Sequence, residues 1–161
     1  EAQLDRFLMY TVVDYPNHEE ERQIADLDER KQQDIQLQSP AVTTQKEILE
    51  ARKAVSAMHM NDKLKDYVVS LVTATREPDK YDENLAKWIA HGASPRATLG
   101  MIRSAKALAW LRGDEYVTPH HVQTVALPIL RHRIIPSFES EADGITRDQI
   151  VTQLLEVVAV P

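Results

Sequence analysis

Twice in this chain a hydroxyl residue is followed at once by proline and then by apolar residues every three or four positions: Ser94-Pro95 and Thr118-Pro119. Such a pair commits the backbone. The hydroxyl caps free N–H groups of a first helical turn, and proline at the first helical position gives up an N–H that has no intrahelical partner. Leu99, Ile102, Ala105, Leu108 and Ala109 then recur at helical spacing, and Gly113 supplies a C-terminal stop. Val122, Val125, Ala126, Ile129 and Leu130 repeat the pattern after Thr118. Two amphipathic helices joined by a short turn must bury their stripes on each other or on a third element, which predicts a helical bundle.

Further helices are predicted on both sides of this pair. Thr43 or Thr44 caps a stretch carrying Ile48, Leu49, Val55 and Met58, and Asn61 opens another with Leu64, Tyr67, Val68, Leu71 and Val72. Residues 77–92 read as a longer connection, with Pro78 near its start and Trp88 and Ile89 anchoring it. Thr146 with Gln149 forms a capping box for a last short helix through Ile150, Leu154 and Val157. The N-terminal end has a different character. Phe7 to Tyr15 is apolar, β-branched and aromatic, and Pro16 ends it, which predicts a strand, with a disordered or helical end as the alternative. A lone strand is not stable, so its sheet partners are expected before residue 1. Asn17 caps a charged helix over 18–31, acids first and bases last, as the helix dipole favours. Residues 32–44 are polar, carry Pro40 and mark a domain boundary. The expected fold class is mostly α: a strand and a helix left over from another domain in 1–38, then a helical bundle in 39–161.

Composition narrows the function classes. A net charge of −6 gives no support for a nucleic-acid partner or an anionic membrane surface. The helix pair 97–112 and 118–133 invites a helix-turn-helix reading, but its second helix offers His120, His121 and Gln123 outward rather than a basic surface. No apolar run approaches the ~20 residues of a membrane span, and Glu1-Ala2-Gln3-Leu4 is not a signal peptide. That start reads as a cut made inside a longer protein. The absence of cysteine fits a reducing, cytoplasmic setting. The six histidines show no metal-ligand spacing, so no metal site is expected. Glu19-Glu20-Glu21 reads as solvated helix surface, and Arg131-His132-Arg133 as cations favoured by a helix C-terminus, with a phosphate or partner contact as the alternative. There is no G-x-x-x-x-G-K-[ST] phosphate loop and no glycine-rich dinucleotide fingerprint, so the chain alone is not expected to hydrolyse a nucleotide.

Two arginines remain as candidates. Arg96 falls in the first turn of the helix capped by Ser94, beside the positive end of the dipole, where a cation is disfavoured by about 0.3–1 kcal/mol. Free N–H groups and a guanidinium at one helix tip make an anion site. The alternative is that Arg96 bends back to a nearby carboxylate. Arg6, just before the predicted strand, is placed to meet a phosphate, or is an ordinary surface arginine.

Here the motifs resemble a known family. Glu1-Ala2-Gln3-Leu4-Asp5-Arg6-Phe7 with a strand ending in Tyr15-Pro16 and a Glu-rich helix resembles the end of the ATPase core of MoxR-type AAA+ proteins. Gly92-Ala93-Ser94-Pro95-Arg96-Ala97, the stretch Ala105 to Gly113, Tyr116-Val117-Thr118-Pro119 and Leu130-Arg131-His132-Arg133 resemble that family's C-terminal lid. The match is weak over 32–90, and magnesium chelatase motor subunits are the nearest confusable relatives. The resemblance implies that Arg6 is an arginine finger reaching the ATP of a neighbouring subunit, and that Arg96 is the lid's sensor arginine near the γ-phosphate, with Ser94 and Pro95 framing it. It does not say whether Arg96 serves its own subunit or the neighbour. It further implies an upstream ATPase core carrying ATP and Mg²⁺, a homo-oligomeric ring expected as a hexamer, and chaperone-like work on partners such as von Willebrand A-domain proteins, including metal-cofactor insertion. The rival from another class is a stand-alone helical adaptor, which explains neither the lone strand nor an arginine at an unfavourable helix end.

Overall fold

The computed structural model describes residues 3–33 and 41–161, which fall into two compact units: Glu1–Tyr10 with Ala51–Pro161, and Thr11–Glu50. The smaller unit holds helix α1 (His18–Gln32), whose residues are all exposed. Asn17 caps it as expected, accepting from the N–H groups of Glu19 and Glu20 while the Glu20 carboxylate takes the N–H of Asn17. Thr44 and Glu47 form the same reciprocal pair at the head of α2 (Gln45–Ala57).

The larger unit is helical and built around the predicted pair, α5 (Pro95–Arg112) and α6 (Pro119–Leu130). The buried face of α5 is made of small residues, Ala97, Gly100, Ser104, Ala105 and Ala109, with Met101 among them, so larger side chains of its neighbours can fill the space against its backbone. Val122, Ala126, Ile129 and Leu130 of α6 share this core with Leu64, Val68, Leu71 and Val72 of α3 (Asp62–Ala74) and with Ile150, Val151 and Leu154 of α8 (Arg147–Val157). Asn61 and Thr146 cap their helices as predicted, and Gly113 ends α5 in the left-handed conformation, φ +77°.

The structure adds elements that no expectation named and corrects two readings, the connection over 77–92 and the outward His121. Phe7 to Tyr15 runs without sheet pairing among the described residues, and Val13 is 88% exposed. β-branched and aromatic residues favour a pleated surface only where a neighbouring strand offers one, and here the Tyr10 N–H donates instead to the Pro128 carbonyl at 2.8 Å. The described sheet lies elsewhere: β1 (Ile89–His91) pairs antiparallel with β2 (Ile135–Pro136), both too short for alternation to betray. The 77–92 connection contains a 3₁₀ turn and helix α4 (Glu83–Trp88), capped by Asp82 and anchored by fully buried Leu85, and Ser137 caps a second short helix, α7 (Phe138–Ala142). His121 turns inward, not outward. Its Nδ1 accepts the Thr118 N–H at 3.0 Å, so the proton sits on Nε2, 2.9 Å from the Asp114 carboxylate.

Candidate functional site

The head of α5 is fixed from behind by the end of α3. Thr75 donates its hydroxyl to the Val72 carbonyl at 2.6 Å and accepts the Ala93 N–H at 2.8 Å, while Arg76 Nε donates to the Ala93 carbonyl at 2.7 Å. Gly92 lies against this backbone so closely that a Cβ there would stand 2.2 Å from the Thr75 carbonyl oxygen. Past this junction Ser94 accepts the N–H of Arg96 at 3.2 Å, and Pro95 takes the first helical position.

In front of the helix head lies Asp5, in the 3₁₀ turn Leu4–Arg6. Its carboxylate accepts the Ser94 hydroxyl at 2.9 Å, Arg96 Nη1 at 3.0 Å and Arg133 Nε at 3.0 Å. Arg96 therefore does bend to a carboxylate, with its side chain still 56% exposed. Burial pushes the Asp5 carboxyl up, but the bonds from Arg96 and Ser94 and the charge and bond of Arg133 outweigh it and hold the group below its ordinary value. Arg133 is the buried member, its side chain only 3% exposed. Its remaining N–H groups go to the backbone carbonyls of Asp5, Phe7, Leu8 and Ile129. Burial draws its pKa down from the usual arginine value, and Asp5 counters this.

Arg131-His132-Arg133 is thus not a solvent-facing basic tail. Arg131 grips Asp148 with two bonds of 2.6 and 2.7 Å, and His132 Nε2 donates to the Phe7 carbonyl at 3.1 Å. His132 Nδ1 is buried without a hydrogen-bond partner among the described residues. Burial, with help from the nearby Arg133 charge, lowers the His132 pKa in spite of the Phe7 bond. A histidine whose folded pKa is depressed binds fewer protons than its unfolded counterpart, so its stabilising contribution is full above the unfolded value near 6.5 and is lost as pH falls through the folded one. Thermal melts between pH 8 and 5 are expected to show the parent losing stability on acidification and His132→Phe losing less; parallel curves would remove His132 as the cause.

Arg6, Arg96, Arg103 and Arg133 line one recess of about 450 Å³ with Asp5, Leu8, Leu99 and Gly100. The two arginines singled out in the sequence are brought together there, and Ser94 reaches the recess through Asp5. Arg6 and Arg103 are exposed, and neither side chain has a hydrogen-bond or ion-pair partner among the described residues. Four guanidiniums face one carboxylate, a local excess of three positive charges on a chain of net charge −6. Sequence reasoning passes over Arg103, which could be found from its seven-residue spacing from Arg96, a return to the same helix face. Among the described residues no group of three or more histidines and carboxylates is placed to hold a metal ion, and no helix is long and apolar enough to cross a membrane.

The chain is similar to several known proteins. Residues 83–154 match the AAA lid domain family. Over its whole length the chain is 38% identical to Chaperone MoxR1 of Mycobacterium tuberculosis, covering 42% of that protein, and 30% identical to the uncharacterized protein YeaC of Bacillus subtilis, covering 47% of it. Over 97 residues it is 35% identical to Protein MoxR of Paracoccus denitrificans. A crystal structure of a candidate ATPase from Cytophaga hutchinsonii superposes with a TM-score of 0.91 at 34% identity, covering 99% of this chain and 48% of that one. The chain thus spans less than half the length of these relatives.

Proposed function

Because the chain belongs to the MoxR-type AAA+ ATPases, matching the C-terminal part of their sequences, we propose that it couples the nucleotide state of an oligomeric ring to chaperone-like remodelling of partner proteins. The observation that carries this is the convergence of Arg6 and Arg96 in one positively charged recess. The donor set fits a polyphosphate, since guanidiniums meet phosphoryl oxygens in planar, paired bonds. ATP with Mg²⁺ would supply the hydrolysable phosphoanhydride; the phosphate loop and the acids for the metal belong, on this reading, to an ATPase core preceding residues 39–161 and their 1–38 lead-in.

Each residue then has a distinct task. Arg6, exposed, presents its guanidinium as a finger to the nucleotide of a neighbouring subunit and stabilises charge developing on the transferred phosphoryl group. Arg96 exchanges its Asp5 bond for one to the terminal phosphoryl oxygen, and loses about 1.5–3 kcal/mol of charge-assisted bonding when that group departs. Ser94 and Pro95 hold the first turn of α5 so that this exchange moves the helix as a body. Because both arginines line one recess, a phosphate reaching one meets the other. The ring, of expected hexameric size, the von Willebrand A-domain partners and the cytoplasmic setting are part of the same proposal.

The test is kinetic, in the ATPase that carries this segment. Arg6→Ala should lower ATP turnover by about 10³-fold or more with ATP binding largely intact. Arg96→Ala should abolish the difference in lid position between ATP and ADP, read by a donor–acceptor dye pair. Unchanged turnover in the first variant would remove the finger role, and a parent-like response in the second would remove the sensor role.

A further inference from the structure

We propose that Arg103 is a further anion-binding residue of this recess, and that it takes a phosphoryl group other than the one held by Arg96. The inference rests on the reading of the recess as a phosphate site and adds to it the shape of the anion: an extended polyphosphate rather than a single phosphate.

Three observations carry it. Arg103 is rooted seven residues after Arg96 on α5, two turns and about 10.5 Å further along the axis on nearly the same face. Between the two, Gly100 has no side chain to obstruct the recess, and a Cβ placed there would meet side-chain ends alone, Leu8 at 3.4 Å and Ile129 at 3.6 Å. Arg103 is exposed and has no side-chain partner among the described residues, whereas Arg96 and Arg133 are already engaged by Asp5.

Charge gives the same answer. Helix α5 holds Arg96, Arg103, Lys106 and Arg112 and not one acid, in a chain with 25 acidic residues. No carboxylate stands at i±3 or i±4 from Arg103 to pair with it along the helix. The recess carries an excess of three positive charges, and one phosphoryl group brings about −1.5 to −2 at neutral pH. A single phosphate leaves the recess positively charged, while a chain of two or more phosphoryl groups brings enough negative charge to neutralise it.

The experiment measures binding of inorganic tripolyphosphate and of orthophosphate to the 161-residue chain by calorimetry, for the parent, Arg103→Gln, Arg103→Lys and Arg96→Gln. Arg103→Gln is expected to weaken tripolyphosphate about tenfold and to leave orthophosphate unchanged, with Arg103→Lys recovering part of the loss. Arg96→Gln is expected to weaken both probes. If Arg96→Gln weakens both and Arg103→Gln neither, or if Arg103→Gln weakens both equally, the assignment of a separate phosphoryl group to Arg103 is overturned while the phosphate site stands. If the parent binds neither probe, or no variant changes either affinity, the phosphate site itself is overturned.

Discussion

Asp5→Ala is expected to lower the stability of the larger unit by about 3 kcal/mol, the low end of the loss seen when a buried ion pair is deprived of one partner. The alanine strands Arg133, whose side chain is almost fully buried and whose sole carboxylate partner among the described residues is Asp5. The carbonyls of Phe7, Leu8 and Ile129 still accept from it, which keeps the effect from the upper end. Urea denaturation reads the change, and a cycle with Arg133→Met identifies its origin: the double variant should lose less than the two single losses combined. A loss within about 0.5 kcal/mol, the level of an ordinary surface substitution, would show that the carboxylate anchors nothing. The acid limb carries the same signature. Since the folded Asp5 pKa lies below its ordinary 3.8, its contribution is present above that value and is lost as pH falls through the folded pKa, so only the parent should show it.

The second large effect lies behind the recess. Gly92→Ala puts a methyl 2.2 Å from the Thr75 carbonyl oxygen and 2.7 Å from the Arg76 nitrogen. These are backbone atoms and cannot rotate aside. Either the junction between α3 and α5 opens or the head of α5 shifts with Ser94 and Arg96, and overpacking of this kind costs about 1–3 kcal/mol. A loss near the top of that range corresponds to roughly 5–10 °C in melting temperature for a chain of this size. Gly100→Ala is the matched control. Its added methyl meets side-chain ends at ordinary contact distances, Leu8 at 3.4 Å and Ile129 at 3.6 Å, and alanine favours the helix by about 1 kcal/mol over glycine. The melting temperature should drop for residue 92 and hold or rise for residue 100; equal drops would refute the role of close approach.

The contrast between these sites explains what is legible in the sequence. The starts at Ser94-Pro95, Asn61 and Thr146 and the stop at Gly113 can be read because each depends on atoms within about four residues. Whether Phe7 to Tyr15 pairs as a strand depends on a neighbour that no local pattern reports. Arg133 is misread for a related reason: a cation after a helix C-terminus is well explained by the dipole, so nothing local announces that it turns inward. His121 stands where a capping box usually has Glu or Gln, and its ring fills that role against Thr118 while Asp114 takes its other nitrogen. Arg96 is recognisable as anomalous, but the partner that relieves the anomaly, Asp5, lies 91 residues away.

That separation has a kinetic meaning. The bonds of Asp5, Phe7, Leu8 and Tyr10 to the stretch Pro128–Arg133 each join residues more than 110 positions apart. Closing a loop of that length yields nothing until α6 already exists to receive it, so these contacts belong to the last stage of folding. A contact absent from the transition state governs how fast the native state is lost rather than how fast it is gained. The stretch from Asp5 to Tyr10 therefore acts as a brake on unfolding, able to release while the α5–α6 pair stays assembled.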